Sequence, residues 1–419
     1  MKSKILKKLL MVSLIDINSS GAYRDKLKNQ LNYFRSKSFE VSFVGLRGER
    51  VILGKFDSEN YDLKPIKQSQ FINSKILKRF IFFWFVFKVL FFDQNIKYLF
   101  FRYPRPDFLI SLLLLYINIF RRNIKTIYEV PTYPFKFETR LNYTLISFIE
   151  NVNSLIFNRF VIKMVSIIAV VAFEGKIFNR KVVRIENGVN CNLFPKNLSK
   201  KIINNKLKLV MTAHFNDTNH RHGLDRLLKG MLDYYKDKEN KRIVELYIIG
   251  SLDANNLSEV NNLIKQALLS KRIKFLSERL DEISEFIKHP LLSSYIKLIG
   301  DKWNEDLYET YQSMHIGVGC LAFHRVGVNF SSALKEREYF AMGMPVVSAS
   351  PDYLVPKESP YRYTIDQDDS NVNIHNLLNY FDNVYSEPNV NQSIRIMTRK
   401  EMNWDKCFEN LFKEIETHD

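Results

Sequence analysis

Short apolar runs alternate with longer amphipathic or apolar segments along most of the chain. Leu10–Ile15, Val41–Gly45, Tyr98–Phe101, Lys125–Val130 and Ile167–Val171 read as strands, with helical segments between them. Such alternation predicts βαβ units around a parallel sheet. Leu193–Lys208, rich in Asn and Lys with Pro195 near its start, breaks the pattern and reads as a linker. A second series follows. Its strands are expected at Lys208–Ala213, Val244–Gly250, Ser294–Gly300, Ile316–Leu321 and Pro345–Ala349. Its helices are expected at Leu224–Lys236, Leu257–Leu269, Leu307–Met314, Lys335–Met342 and Asn403–Glu416. The predicted class is α/β, with two similar halves and a ligand expected in the cleft between them.

The length, 419 residues, accommodates two or three domains, and 46% hydrophobic residues exclude a disordered chain. Cys191, Cys320 and Cys407 have no metal-ligand spacing and cannot make a disulfide framework, which fits a reducing cytoplasm. None of the eight histidines makes a zinc pattern. Basic residues exceed acidic ones, 62 to 45, for a net charge of +17. That excess suits nucleic acid, an anionic membrane face or phosphate-bearing small molecules. No dense Lys/Arg block or nucleic-acid motif accompanies it.

Met1–Lys8 is basic and runs into Leu9–Ile15, which is too short for a signal-peptide core and reads as a first strand. Phe80–Phe92 and Phe108–Phe120 are apolar but also too short to span a bilayer. They read either as two buried helices or, for the first, as a surface-seeking helix. In the second reading Lys75, Lys78, Arg79 and Lys88 lie near headgroups and Trp84 at the interface.

Gly21 follows the first strand in Asn18-Ser19-Ser20-Gly21, where exposed backbone N–H groups suit a bound ligand or an ordinary turn. Neither a GxGxxG fingerprint nor a P-loop is present, which argues against dehydrogenases and Walker-type ATPases. The segment Leu334 to Val347 carries the most local chemistry. Asn329-Phe330-Ser331-Ser332 is a polar turn, and the helix start that follows, near Ala333 and Leu334, suits a phosphate. Lys335 and Glu338 share a face at i, i+3, so a carboxylate for ribose hydroxyls stands beside an ammonium for a diphosphate. A solvated charged face is the alternative. Glu129 ends a buried-looking strand, where α/β sheets place functional groups, although a loop-tying carboxylate fits too. Thr132 and Tyr133 share its loop. His324 and Arg325 lie after the strand Ile316–Leu321 and face a donor sugar or its phosphates, or serve structure alone.

Lys335-Glu336-Arg337-Glu338-Tyr339-Phe340-Ala341-Met342-Gly343-Met344-Pro345 resembles the nucleotide-sugar signature of retaining GT-B glycosyltransferases of the family 4-like group. Ile185–Asn190, Gly223–Leu228, Ile248–Gly250 and Tyr128–Pro134 resemble further family stretches, in order, over nearly the whole chain. The last of these is similar to a variant in bacterial polysaccharide-assembly enzymes. The resemblance implies two Rossmann-like domains. Residues 1–196, with a returning helix at about 400–419, form an acceptor domain, and 207–399 a nucleotide-sugar domain.

It also implies transfer of a hexose-like sugar from a UDP-, GDP- or ADP-sugar to a lipid-linked or polysaccharide acceptor in bacterial surface glycan synthesis. The enzyme would be cytoplasmic and peripheral on the inner face of the cell membrane. No cofactor, metal or nucleic-acid partner is expected, and Asp366-Gln367-Asp368 reads as a solvated turn.

Two departures stand out. Phe330 occupies the position of the first carboxylate of the family's Glu-x7-Glu pair. In the first loop of the second half, His222 and Asn216 replace the family's Lys and Arg, leaving Arg226 or Arg221 to supply the missing charge. The implied catalytic residues are Glu129, Lys335 and Arg226. Gly21, His222, Arg226, His324, Arg325, Ser331, Ser332, Ala333, Leu334, Lys335 and Glu338 would bind the donor. A noncatalytic GT-B partner protein, motivated by Phe330, and a basic nucleic-acid-binding protein are the competing readings.

Overall fold

The computed structural model describes residues 7–18, 22–57, 62–69, 74–102, 106–133, 156–195, 205–213, 220–250 and 282–417. Gly21 with Ser19 and Ser20, Pro134, the linker residues 196–204, the loop 214–219 containing Asn216, and the helix expected at 257–269 lie outside them. The chain forms two units, Met1–Gly188 with Trp404–Asp419, and Val189–Asn403.

The first unit is built on β1 (Lys7–Asp16), β2 (Phe39–Arg47), β3 (Arg50–Asp57), β4 (Asp62–Gln68), β5 (Ile96–Arg102), β6 (Lys125–Val130) and β7 (Ile167–Val171). A two-stranded hairpin, β8 (Lys176–Ile177) and β9 (Arg180–Lys181), precedes β10 (Val183–Ile185). The sheet order is β10-β7-β6-β5-β1-β2-β3-β4. The first six strands in that order are parallel, and β3 and β4 extend the edge antiparallel. Leu9–Val12 of β1, Leu99–Phe101 of β5 and all of β7 are buried, covered on both faces. That is why these strands read as unbroken apolar runs.

Helices α1 (Ala22–Ser36), α2 (Lys75–Phe92) and α3 (Phe108–Phe120) and the helical residues 156–164 cover the sheet. Asp107 caps α3 by accepting from the Ile110 N–H at 3.0 Å. The last helix, Trp404–Thr417, belongs to this unit. Its Trp404 ring approaches Gly188 so closely that a Cβ there would lie 2.8 Å away. Phe408 meets the Tyr33 ring of α1 at 5.3 Å.

In the second unit the strands are β11 (Lys206–Thr212), β12 (Ile243–Ile249), β13 (Ile296–Gly300), β14 (Ile316–Val318), β15 (Val346–Ser348) and β16 (Arg362–Thr364). All are parallel, in the order β13-β12-β11-β14-β15-β16. The helices are α4 (Leu224–Lys236), α5 (Asn304–Gln312), α6 (Leu334–Ala341), α7 (Ile374–Tyr385) and α8 (Val390–Glu401).

The chain passes into this unit at Val189, before the expected boundary at 196. Residues 191–195 are held there: Arg395 of α8 donates to the Cys191 carbonyl at 3.2 Å and to that of Pro195, and Phe194 packs on Tyr308 at 4.6 Å. Among the described residues no helix is long and apolar enough to cross a membrane.

Helix α4 lies against the chain at Val372. A Cβ on Gly230 would sit 2.0 Å from the Val372 carbonyl oxygen. In an open helix, alanine for glycine stabilises by about 1 kcal/mol. Here the backbone must move, so Gly230→Ala is expected to destabilise by about 1–3 kcal/mol, read as a lower urea midpoint at unchanged slope.

Candidate functional site

In the second unit the sheet order reverses between β11 and β14, the position at which open parallel sheets receive ligands at their carboxyl ends. After β11 the chain makes a short turn of helix at His220–His222, and after β14 another at Phe323–Val326. Two backbone hydrogen bonds join these loops: the Leu321 N–H donates to the His222 carbonyl at 3.1 Å, and the Ala322 N–H to that of Arg221 at 3.0 Å. Gly223, which leads into α4, has φ of 65°, and a Cβ on it would lie 2.8 Å from Leu321 Cβ. Both the dihedral and the close approach require glycine.

Lys335, in the first turn of α6, reaches these loops. Its Nζ lies 3.4 Å from His222 Nδ1, and that imidazole nitrogen is 3.6 Å from Cys320 Sγ. Burial lowers the Lys335 ammonium pKa below the ordinary lysine value and raises that of the Cys320 thiol. Arg221 stands close enough to lower the Lys335 pKa further. Ala333 caps α6 without a side-chain acceptor, so no cap side chain satisfies the first N–H groups of the helix. Such a combination of ammonium, imidazole and uncapped helix start is of the kind that can hold an anion. Glu338 follows one turn along α6, half-buried.

The charged run of α6 does not form a solvated face. Glu336 is fully buried: it accepts from Arg362 at 2.5 Å, Ser348 Oγ at 3.0 Å and Ser331 Oγ at 3.3 Å. Arg337, also buried, pairs with both oxygens of Asp352 and donates to Ser332 Oγ at 3.1 Å. The hydroxyls of Ser331 and Ser332 are therefore engaged beneath the helix start. Phe330 stacks on Tyr353 with centroids 4.0 Å apart.

The structure spends Arg226 inside the protein. All three guanidinium nitrogens donate, to the Ser370 carbonyl at 2.7 Å, the Asp366 carbonyl at 3.1 Å, the Leu321 carbonyl and Asp368 Oδ1 at 3.1 Å. The acidic turn at 366–368 is thus tied down by Arg226. Arg325 clamps Asp225 with two bonds of 2.9 and 2.8 Å and reaches Asp369 at 2.6 Å. His324 Nε2 lies 3.3 Å from Asp369, while its buried Nδ1 has no hydrogen-bond partner among the described residues. Among the described residues no group of three or more His, Cys, Asp or Glu is placed to hold a metal ion.

Glu129 lies in the first unit, at the carboxyl end of β6, and is 1% exposed. Its Oε1 accepts from Lys26 Nζ at 2.5 Å and its Oε2 from Gln30 Nε2 at 2.9 Å, both from α1. Arg102, at the end of β5, adds a second buried cation and donates to the Tyr23 carbonyl at 2.7 Å. Burial pushes the Glu129 carboxyl up, but Lys26, Arg102 and the two hydrogen bonds outweigh it and hold the carboxyl below its usual value. Tyr133 packs on Phe173 at 4.6 Å. The structure therefore brings His222 and Lys335 together and places Glu129 in the other unit.

No protein-family model and no curated protein sequence matches the chain. Solved structures do. The chain is similar to a sucrose-phosphate synthase from Thermosynechococcus elongatus, with a TM-score of 0.60 and 12% identity over 99% of this chain and 100% of that one. It is similar to the apo form of the lipopolysaccharide outer core galactosyltransferase WaaB, with a TM-score of 0.53 and 11% identity over 99% and 100%. An alpha-glucosyltransferase in complex with UDP and a 13-mer DNA gives a TM-score of 0.53 and 12% identity over 98% and 99%. At such identities the likeness shows the fold alone, and that fold is GT-B, a pair of Rossmann-like units.

Removing Glu129 leaves Lys26 and Arg102 buried without a counter-charge. Glu129→Ala is expected to cost about 3–5 kcal/mol of stability at neutral pH, measured by chemical denaturation. A carboxyl whose folded pKa lies below the unfolded value contributes stability that is complete above the unfolded pKa. That stability is lost as pH falls through the folded pKa. The gap between wild type and Glu129→Ala should therefore close on acidification below the usual carboxylate range.

Proposed function

We propose that the chain is a nucleotide-sugar-dependent glycosyltransferase that retains the configuration of a hexose-like donor. The observation that carries this reading is the Lys335–His222 pair at the start of α6, placed at the switch point of a parallel sheet in a GT-B fold. WaaB is described as a galactosyltransferase, and another similar structure as an alpha-glucosyltransferase in complex with UDP.

In this reading the diphosphate lies against the first turn of α6. Lys335 supplies the charge and His222 and Arg221 stand behind it. Glu338 accepts the ribose hydroxyls. Arg226, whose donors are engaged, holds the 366–370 loop in place. Arg325 and His324 do the same around Asp369, and the buried Nδ1 of His324 is the group of this pair left for a donor contact. Ser331 and Ser332 set the helix start through Glu336 and Arg337. Glu129 positions α1 on its sheet, in the unit that takes the acceptor.

The reaction breaks the bond between the anomeric carbon and the diphosphate oxygen and forms one to an acceptor hydroxyl on the same face. The hydroxyl proton passes to the departing diphosphate. The protein positions both partners and stabilises the leaving charge. The acceptor is a lipid-linked or polysaccharide glycan of the bacterial surface, met by a cytoplasmic enzyme on the inner face of the membrane.

The test is calorimetric binding and turnover with UDP-, GDP- and ADP-sugars. One nucleoside diphosphate should bind, and Lys335→Ala should weaken it roughly 10- to 100-fold, as expected for a charged hydrogen bond of about 1.5–3 kcal/mol, with melting temperature unchanged. Because burial depresses the Lys335 pKa, affinity should fall as pH rises through a value below that of an ordinary lysine. Binding without sugar release to any acceptor or to water would favour the noncatalytic reading. Absence of nucleotide binding would overturn the assignment.

A further inference from the structure

Among the described residues, the first unit exposes an aromatic surface. Each of its two most apolar helices buries one face and exposes the other. On α2 the exposed positions Leu77, Phe80, Trp84 and Phe91 recur every three, four or seven residues and so form one stripe. On α3 Phe108, Leu112, Leu115 and Ile119 do the same, while Ile110, Leu113, Leu114 and Ile117 face the core. The stripes are joined. Trp84 stacks on Phe87 at 5.4 Å, Phe87 meets Tyr116 of α3 at 4.7 Å, and Tyr116 meets Phe120 at 5.6 Å. At the other end of α3, Phe108 packs on Phe157 at 6.4 Å, in a helix that exposes Ile156 and Phe160. Scattered apolar side chains on a surface are ordinary, but a strip continuous across three helices marks an interaction site.

Charge selects the occupant. The segments Lys75–Phe92, Phe108–Phe120 and 156–164 contain no Asp or Glu. Lys78 and Arg79 are neutralised by Glu49 and Asp107. The exposed Lys88, Arg122, Arg159 and Lys163 have no carboxylate partner among the described residues. Lys88 lies over the Trp84 ring, 5.4 Å from its centroid, so cation and aromatic share one edge of the strip. A second copy of the chain, docked by a two-fold axis, would bring like charges together. A surface carrying negative headgroups above an apolar layer pairs both features at once, with aromatic rings at the boundary and cations among the headgroups.

We propose that this face, formed by α2, α3 and residues 156–164, docks the protein on an anionic phospholipid bilayer without crossing it. The inference deepens the membrane-side location in the proposed function and rests on that reading only for its biological sense. Binding itself is measured without nucleotide.

The full chain is sedimented with vesicles of phosphatidylcholine plus phosphatidylglycerol and with phosphatidylcholine alone. Expected are binding to the anionic vesicles, loss of binding at high salt, and a blue shift of tryptophan emission that Trp84→Phe abolishes. Lys88→Glu with Lys163→Glu should weaken partitioning at least roughly tenfold. Trp84→Ser with Leu115→Ser should do the same, and both variants should keep the melting temperature and nucleoside diphosphate affinity of the wild type. Failure of the wild type to bind anionic vesicles, or binding that neither double variant weakens, would overturn the proposal. So would a dimer in solution that Trp84→Ser dissociates, since a second copy would then be the occupant. Vesicle binding together with failure to bind any nucleotide would uphold the docking face and remove the glycosyltransferase reading.

Discussion

The carboxylate of Glu336 governs the geometry of the second unit. It is buried beneath the carboxyl ends of β14 and β15, and a charge there is sustained only when it is paired and hydrogen-bonded. Arg362 of β16, Ser348 of β15 and Ser331 before α6 together meet that requirement. The carboxylate also sits against Gly319, where a Cβ would lie 2.3 Å from Oε1, so the loop after β14 must lack a side chain at that point. The next residue on the helix, Arg337, repeats the device with Asp352 and Ser332. Two adjacent charges locked on one side of α6 fix its rotation and its start. Lys335, the residue before them, is thereby aimed at His222. The first turn of the helix inherits its placement from the buried charges that follow it.

The same physics operates in the first unit with a different result. Parallel strands covered on both faces leave only their carboxyl ends for polar groups, and Glu129 and Arg102 occupy two of them. The cations Lys26 and Arg102 outnumber the single carboxylate, so Glu129 is held ionised, and its two oxygens fasten α1 to β6. Each oxygen of this carboxylate accepts from a side chain of α1, so whatever else it does, Glu129 ties that helix to the sheet.

Such long-range pairing limits what the sequence discloses. The doubly covered strands, helices α4, α5 and α6 of the second unit and the glycine that ends α6 are local patterns, legible in the sequence. The edge strand β4 was not, because five of its seven residues are exposed and it has no apolar run. The site divides along the same line. Lys335 and Glu338 stand out from their spacing on one helix. Arg226 stands out by its charge, but the groups it holds lie 95 to 144 residues away and are not legible from its neighbours in the chain. Glu336 and Arg337 look like solvated charges in a run of charges, and nothing nearby in the chain announces Arg362 or Asp352.

The apolar runs at 80–92 and 108–120 show the converse failure, in which composition is clear and orientation is hidden. Both hold more large side chains than one helix face can bury. Taken singly, the first reads as core or as surface and the second as core. Only the contact between Phe87 and Tyr116 shows that the two surplus faces belong to one strip. Exposing such a strip contributes nothing to folding, since apolar area stabilises only when water leaves it. It also invites self-association. The four cations along it, with no acidic residue in the same helices, oppose contact between copies and favour contact with a negative surface. The basic residues therefore fall into groups with different physics. Some are neutralised inside ion pairs such as Arg337–Asp352, and Lys335 stands at a helix start beside a histidine. Lys88 lies over an aromatic ring of the strip, where its sign bears on what the strip can touch.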